Sequence, residues 1–490
     1  MVIEVIPTPF PTFHYLCATI LTKMRDSSTI VAVATPAGQG AIAVIRLSGP
    51  DAVAIADKLF HSPSGKKLAD QKANTIHFGK LENEEGVIDE VLVSIFKAPH
   101  SFTGEDSVEI SCHGSVYIQQ RVVEATLKAG ATLAQPGEFT QRAFLNGKFD
   151  LSQAEAVADL ISSTNRASHR LAMNQMRGGF SKEIEHLREQ LLTFTSLIEL
   201  ELDFSEEDVE FADRSNLRTL ITTIINHIDK LAKTFSLGNA VKNGIPVAIV
   251  GNPNVGKSTL LNAMLNEDKA IVSEIAGTTR DVIEDTFTIK GISFRFIDTA
   301  GIRHTQDTIE SLGIERTYKK IAQASIVLLL IDPTESEESA DHSVANVFKR
   351  ISDDQHLIVV LNKIDGATPA LIDPLRARLK AKYDDRIDIV AISAKQRTNL
   401  DEVNRLLVEK AGLEQMSESS VIVTNMRHYE ALVNTQEALE RALEGLDSGI
   451  SGDFLSQDIR EAIFYLGQIT GTISTDDILG TIFSKFCIGK

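Results

Sequence analysis

Gly251-Asn252-Pro253-Asn254-Val255-Gly256-Lys257-Ser258 is the stretch on which the reading of this chain turns. It fits G-x-x-x-x-G-K-[ST], follows the apolar run Pro246 to Val250 and precedes a helical run from Thr259 to Leu265. In that setting the glycines let backbone N–H groups close around phosphate oxygens, Lys257 reaches the β and γ oxygens, and Ser258 binds Mg²⁺. Strand, loop and helix together predict a P-loop nucleotide domain.

Working outward, four more segments follow in the order that guanine recognition needs. Gly277-Thr278-Thr279-Arg280-Asp281 offers a hydroxyl, that of Thr279, to complete the Mg²⁺ shell, and a segment of this kind orders when a γ-phosphate is present. Asp298-Thr299-Ala300-Gly301 follows the run Ser293 to Ile297, where a carboxylate can hold Mg²⁺ through water and a glycine N–H can sense the γ-phosphate. Asn362-Lys363-Ile364-Asp365 selects the base: the Asp365 carboxylate accepts from guanine's ring N–H and amino group, whereas adenine leaves that acceptor unpaired. Ser393-Ala394-Lys395 supplies a backbone donor for the guanine carbonyl. The GTP contacts expected are therefore Asn254, Val255, Gly256, Lys257, Ser258 and Thr259; Ser273, Glu274, Ile275, Ala276, Gly277, Thr278 and Thr279; Asp298, Thr299, Ala300 and Gly301; Asn362, Lys363 and Asp365; and Ser393, Ala394 and Lys395. Many GTPases place a water-orienting glutamine directly after Asp-x-x-Gly, but here that position is Ile302. Arg303, Asp307 and Glu310 are the nearby candidates to replace it, with solvated loop charges as the alternative.

Five apolar runs end at these motifs: Pro246 to Val250, Ser293 to Ile297, Ser325 to Ile331, Leu357 to Leu361 and Ile387 to Ile392. Unbroken apolar runs suit strands buried on both faces of a doubly wound sheet, whose ligands gather at the carboxyl ends. On either side the texture is helical. Leu187, Leu191, Phe194 and Ile198 recur at helical spacing before it, as do Leu455, Ile459, Ala462, Ile463 and Leu466 after it. The economical reading is a G domain inserted into one all-helical domain; two separate helical domains are the alternative. Ahead of these, β-type runs at Thr29 to Thr35, Ile42 to Leu47, Thr75 to Phe78, Val91 to Phe96 and Val108 to Ser111, with a helix near Asp51 to Leu59, predict a small α/β or α+β domain. The expected fold class is α/β multidomain: an extension at 1–25, an N-terminal domain at 26–145, helical segments at 146–242 and 414–490, and a G domain at 243–413.

At 490 residues the chain exceeds one hydrophobic core. With 43% hydrophobic and 24% charged residues it has ordinary globular usage, which points away from disorder and from a membrane protein. The net charge of −18 repels a polyanion at long range, so a nucleic-acid substrate needs a local basic surface or a partner that supplies one. Cys17, Cys112 and Cys487 lie far apart, which excludes a disulfide framework or zinc knuckle and fits a cytoplasmic, reducing location. The apolar patch Phe13 to Leu21 lacks signal-peptide order, and Met24 makes a natural alternative start. Cys112-His113 has the composition of a nucleophile and base, but adjacent strand residues face opposite sides. The run Glu206-Glu207-Asp208 with Glu210 reads as a solvated loop rather than a metal site.

The terminal Phe486-Cys487-Ile488-Gly489-Lys490, with Gly277 to Asp281 and the helical flanks, resembles the MnmE (TrmE) family of tRNA-modification GTPases, within the TrmE-Era-EngA-like group. The likeness runs from about Asp26 to Lys490. It includes Ala34-Thr35-Pro36-Ala37-Gly38, Arg46-Leu47-Ser48-Gly49-Pro50, Phe102-Thr103-Gly104-Glu105-Asp106, Pro136-Gly137-Glu138-Phe139 and Arg142-Ala143-Phe144-Leu145-Asn146.

The resemblance implies a homodimer formed by folate-binding N-terminal domains and a heterotetramer with MnmG, an FAD- and NADH-dependent partner. Together these would add a carboxymethylaminomethyl or aminomethyl group to C5 of the wobble uridine of tRNA, with 5-formyltetrahydrofolate or a related tetrahydrofolate as one-carbon donor. Its folate contacts fall on Arg46, Glu109, Lys148 and Lys490, where cations suit a glutamate tail and a carboxylate suits the pterin donors. It implies a GTPase activated by K⁺ and by G-domain dimerisation, with no arginine finger from another protein. The matching K⁺ ligands are Asn254, Ser273, Ile275 and Thr278; the catalytic carboxylate matches Glu310, with Arg303 stabilising the same loop and Lys257 on the phosphates. Cys487 is a catalytic candidate beside the folate site, against the ordinary alternative of a small structural thiol. No membrane association is expected. Two other readings are a ribosome-assembly GTPase, which would carry a basic RNA-binding domain, and a stand-alone folate one-carbon transferase that needs no flavin partner.

Overall fold

The computed structural model describes residues 28–203, 214–268, 286–297, 321–353, 355–412, 421–484 and 486–489. The chain forms two compact units: one runs to Ala158 and resumes at Thr470–Lys490, and the other is Asp159–Ile469.

The first unit is built on a seven-stranded sheet, β1 (Ile30–Val33), β2 (Ile42–Ser48), β3 (Phe60–His61), β4 (Thr75–Asn83), β5 (Gly86–Phe96), β6 (Ser107–His113) and β7 (Thr132–Leu133). Their order is β3-β4-β5-β6-β2-β1-β7, antiparallel except for the β1–β7 pair. The expected runs were therefore strands, and Asp51 to Leu59 holds the helix Ala52–Leu59. Side chains alternate across the pleat. Val91, Val93 and Ile95 go inward with Ile45, Leu47 and Ile110, under the helices Ala52–Leu59 and Val116–Lys128. Ile42, Ile76, Phe78 and Leu92 lie exposed on the opposite face, and Phe78 sits directly across from Leu92.

The chain's last stretch completes this unit. Thr475 caps the helix Asp476–Phe483 by accepting from the Ile478 N–H. Leu479, Ile482, Phe483 and Phe486 close a core with Leu151 and Ala154. Gly137, at φ 71°, lies so close that a Cβ would stand 2.6 Å from the Phe483 carbonyl oxygen, which is why only glycine suits this turn before the helix Glu138–Leu145. The helical segment expected over 414–490 thus divides, and 470–490 packs with the first unit because that is where its apolar face finds a core.

The second unit contains a single helical core assembled from both sides of the G domain. Ile184, Leu187, Leu191 and Ile198 of the helix Gly179–Asp203 and Ile221, Ile224 and Ile228 of Arg214–Lys233 pack with Leu432 and Leu439 of Met426–Ser448 and Leu455, Ile459 and Leu466 of Gly452–Thr470. The G domain is an insertion, not a divider between two helical domains. Where the chain leaves and rejoins, the Thr234 hydroxyl accepts from the Val423 N–H at 3.0 Å, and Gly238 leaves room for the Val423 backbone. Insertions are tolerated where chain ends lie together in this way.

The inserted domain carries β8 (Ile245–Gly251), β9 (Thr286–Ile289), β10 (Ile292–Phe296), β11 (Ile326–Ile331), β12 (His356–Leu361) and β13 (Ile387–Ala391) in the order β13-β12-β11-β8-β10-β9. All pairs are parallel except β9–β10. Val247 and Ile249 face a core with Leu260, Leu261, Val403 and Leu407, whereas Ala248 and Val250 face another with Val344, Leu375 and Leu379. Both faces are buried, which accounts for the continuous apolar runs in the sequence.

Candidate functional site

The strand ends of the inserted sheet bring four loops together. After β8 the phosphate-loop backbone turns through positive φ at Gly251 (144°), Asn254 (62°) and Gly256 (100°) before the helix Lys257–Asp268. A Cβ on Gly251 would collide with the Leu330 carbonyl, and one on Gly256 with the Asn362 amide, so both glycines are required by close approach as well as by backbone conformation. Val255 is buried and its carbonyl accepts from Asn362 Nδ2 at 2.8 Å. Lys257 Nζ donates to the carbonyls of Gly251 at 2.7 Å and Asn252 at 2.8 Å, at the loop rim. Ser258 stands in the first turn of the helix, half-buried, and Thr259 and Asn254 are exposed.

Asn362 holds the pocket together. It is 2% exposed, and its Oδ1 accepts from the Ala394 N–H at 3.0 Å while its Nδ2 reaches the phosphate loop. One buried amide thus ties the phosphate loop to both base loops, satisfying polar groups that burial would otherwise penalise. Ser393 Oγ donates to Asp365 Oδ1 at 2.6 Å. That bond, with Lys395 and Lys363 close by, holds the Asp365 carboxyl below the usual carboxylate range, so it is ionised at neutral pH and ready to accept donors. Lys363 is in the left-handed region at φ 67° and ion-pairs with Asp332 at 2.8 Å. Lys395 is exposed. The structure therefore gathers Asn254, Val255, Gly256, Lys257, Ser258, Thr259, Asn362, Lys363, Asp365, Ser393, Ala394 and Lys395 around one strand-end crevice. Ser273, Glu274, Ile275, Ala276, Gly277, Thr278, Thr279, Asp298, Thr299, Ala300, Gly301, Arg303 and Glu310 lie outside the described residues.

In the first unit, Arg46 on β2 stands opposite Glu109 on β6, and their side chains pair at 2.8 Å. The guanidinium lies 5.3 Å from the Phe102 ring centroid and 5.8 Å from that of Phe139. Both rings lie within the range of cation–π attraction, which helps hold a mostly buried guanidinium in place. Lys148 is exposed, with Nζ on the Pro99 carbonyl at 2.9 Å, and its stem passes Gly104. Arg46, Glu109 and Lys148 belong to the same unit; Lys490 lies outside the described residues.

Behind the pair is a network that carries no motif role in the sequence reading. Arg142 donates to Glu138 Oε1 at 2.8 Å, to Glu105 Oε2 at 3.3 Å and to the Ser28 carbonyl at 2.9 Å. Glu105 also accepts from Ser48 Oγ at 2.9 Å, Ser48 meets Thr103 at 2.7 Å, and Asn146 Nδ2 donates to the Thr103 carbonyl. Four of the quoted sequence blocks are thereby a single, largely buried assembly that fixes Phe102 and Phe139 around Arg46. The readable signal was the i, i+4 spacing of Glu138 and Arg142.

Cys112 is buried and His113 exposed, as strand alternation requires. Burial, reinforced by the Asp89 charge, pushes the Cys112 thiol up to about 11, while His113 Nδ1 pairs with Asp89 at 2.8 Å. We expect Cys112 of the native protein to resist iodoacetamide at pH 8, where the thiol holds its proton, and to alkylate once urea exposes it, with mass spectrometry counting the adducts. Cys487 is exposed and free. Among the described residues no cluster of three or more His, Cys, Asp or Glu could hold a metal ion, and no helix is long and apolar enough to cross a membrane.

The helical part matches the model of the MnmE helical domain over residues 151–487, and the first unit matches that of the GTP-binding protein TrmE N-terminus over 29–148. The chain belongs to the MnmE family of tRNA modification GTPases. The tRNA modification GTPase MnmE of Bacteroides thetaiotaomicron is 57% identical over 466 residues, covering 95% of this chain and 100% of that protein. Those of Bacteroides fragilis (58% over 466 residues, 95% and 100%) and Cytophaga hutchinsonii (54% over 470 residues, 96% and 99%) are similar. Matches over both the N-terminal and helical parts favour the MnmE family over a ribosome-assembly GTPase, whose resemblance would stop at the G domain. As a member of the MnmE family the chain is a P-loop GTPase.

Proposed function

We propose that this GTPase modifies tRNA: with a flavin-dependent partner of the MnmG type it adds a carboxymethylaminomethyl or aminomethyl group at C5 of the wobble uridine, taking one carbon from a tetrahydrofolate. The observation that carries this reading is the Arg46–Glu109 pair between Phe102 and Phe139, since a guanidinium and a carboxylate side by side offer both a donor for a glutamate tail and an acceptor for pterin N–H groups. The exposed face bearing Ile42, Ile76, Phe78 and Leu92 on the same sheet supports a homodimer through this unit, because several large apolar side chains exposed on one sheet face are where a partner surface belongs. A chain of net charge −18 is served by a partner that supplies basic surface for tRNA. The cytoplasm, where tRNA is found, is the location this reading implies.

On the nucleotide side, Lys257 would leave its carbonyls for the β and γ oxygens, and Ser258 with Thr279 would hold Mg²⁺, which neutralises phosphate charge. Ser258 fits that task, standing at the first turn directly after Lys257. Asn254, exposed on the loop, with carbonyls at Ser273, Ile275 and Thr278, would hold K⁺. Glu310 would orient the attacking water in place of a glutamine, with Arg303 steadying its loop. Cys487 is exposed and would lie at the folate site.

Three measurements test the proposal. Equilibrium binding of 5-formyltetrahydrofolate to wild type and Arg46→Ala should differ by about tenfold or more, the weight of a charge-assisted hydrogen bond; equal affinities would remove the pair from the site, and normal wobble uridines in a deletion strain would end the tRNA reading. GTP turnover should be at least about tenfold faster in potassium than in sodium for the wild type, with the gap closed in Asn254→Ala and turnover lost in Glu310→Ala. Equal rates in both salts would sink the potassium site.

A further inference from the structure

The end of β11 lies between the two halves of the nucleotide crevice. Leu330 is in register with Gly251 of β8 on one side, and Ile331 with Leu361 of β12 on the other. The next four residues, Asp332-Pro333-Thr334-Glu335, therefore have the phosphate loop on one flank and the base loop on the other. Each flank is tethered by a carboxylate. Asp332 Oδ2 accepts from Lys363 Nζ at 2.8 Å, while its Oδ1 accepts from the Thr334 N–H at 3.0 Å and Thr334 Oγ1 at 2.6 Å. Glu335 Oε2 accepts from Asn252 Nδ2 at 3.0 Å and from Ser339 Oγ at 3.1 Å. The turn is closed by the Glu335 N–H on the Asp332 carbonyl, and Ser336 caps the helix Glu337–Phe348 that anchors it.

We propose that Asp332 and Glu335 are positioning residues for the guanine nucleotide, a strap in which Asp332 fixes Lys363 at the base and Glu335 fixes the phosphate loop through Asn252. This rests on the reading of Gly251–Ser258 and Asn362–Asp365 as the GTP site. Lysine has a long, rotamer-rich stem, so a free Lys363 must be ordered each time a base docks; the ion pair orders it beforehand. Asp332 is 8% exposed. Burial pushes its carboxyl up, but the hydrogen bonds from Lys363 and Thr334 outweigh that and hold it ionised. Asn252 in turn supplies one of the two carbonyls that Lys257 occupies, so slack at Glu335 is slack in the phosphate cradle. Neither carboxylate meets substrate. The expected signature is affinity rather than chemistry.

The test uses the full chain, with fluorescent N-methylanthraniloyl-GDP as probe and GTP turnover as second readout. Asp332→Asn and Glu335→Gln should each weaken probe binding about tenfold, chiefly through faster release, and raise KM for GTP while kcat stays within about twofold. Asp332→Glu should recover part of the loss. Preference for guanine over xanthine should be unchanged, and melting temperatures without nucleotide should match wild type. Unchanged probe affinity in both variants overturns the strap, as does a loss that falls on kcat or tracks a lowered melting temperature. If Asp332→Asn does not fold, Glu335→Gln decides alone, because its half-buried side chain touches only Asn252 and Ser339 among the pairs above. Failure of the underlying GTP-site reading is separately visible: wild type would then bind no probe, or Lys257→Ala would bind it as well as wild type.

Discussion

Replacing Asp365 with asparagine is expected to turn a guanine nucleotide site into a xanthine one, with the GTP specificity constant falling by about a thousandfold or more and XTP gaining by a comparable factor. The carboxylate is ionised and steadied by Ser393, and in the proposed GTP site it has two guanine donors to satisfy. An amide turns its nitrogen into a donor facing a donor, and sites built around such hydrogen bonds reject the mismatched partner by factors of this order. The substitution leaves the Asn362 bridge between Val255 and Ala394 in place, so the pocket persists and only its choice of base changes. GTP and XTP turnover measured side by side for wild type and variant reads this directly; an Asp365→Asn protein that still prefers GTP would show that the base is recognised elsewhere.

The second large effect lies in the first unit. Arg142→Met should cost about 3 kcal/mol of stability, at the low end for breaking a buried ion network because Glu138 and Glu105 keep some solvent contact. The loss is not of the pair's attraction alone. Two carboxylates and the Ser28 carbonyl remain behind without their shared donor, and uncompensated buried acceptors are what make such truncations severe. Urea denaturation followed on the first unit, together with folate affinity, checks it: stability and folate binding should fall together if the network sets Phe102 and Phe139 around Arg46. A stable Arg142→Met protein with unchanged folate affinity would contradict both claims.

The inserted sheet was legible in the sequence because burial on both faces writes itself as runs such as Ile326 to Ile331, with motifs at fixed offsets from each run. The phosphate loop and Asn362 to Asp365 could be placed for the same reason. The destination of Leu479, Ile482 and Phe483 could not be read: a helical period reports that a face is apolar, not which core receives it, and these side chains fill the first unit. Asp332 and Glu335 escaped notice because an acidic loop residue has the same appearance in sequence whether solvated or tethered. Arg142 and Glu105 are 37 positions apart, one on the helix Glu138–Leu145 and the other in the loop between β5 and β6, and only the folded unit brings their blocks together. Local chemistry is visible along the chain; partners joined by topology are not.

The helical core shared across the insertion has a consequence for biosynthesis. The helix Arg214–Lys233 leaves the ribosome long before Met426–Ser448, its principal packing partner. At about 5–20 residues per second the intervening stretch occupies on the order of 10 to 40 seconds of translation. During that interval Ile221, Ile224 and Ile228 have no completed core to enter, and the first unit likewise waits for Phe483 and Phe486. The inserted domain, whose two cores are contained within its own sequence, is free to fold meanwhile. Chaperone demand on this chain is thus set by the order in which its pieces are made, and a premature stop near residue 470 would wound the earliest-made unit as surely as the last.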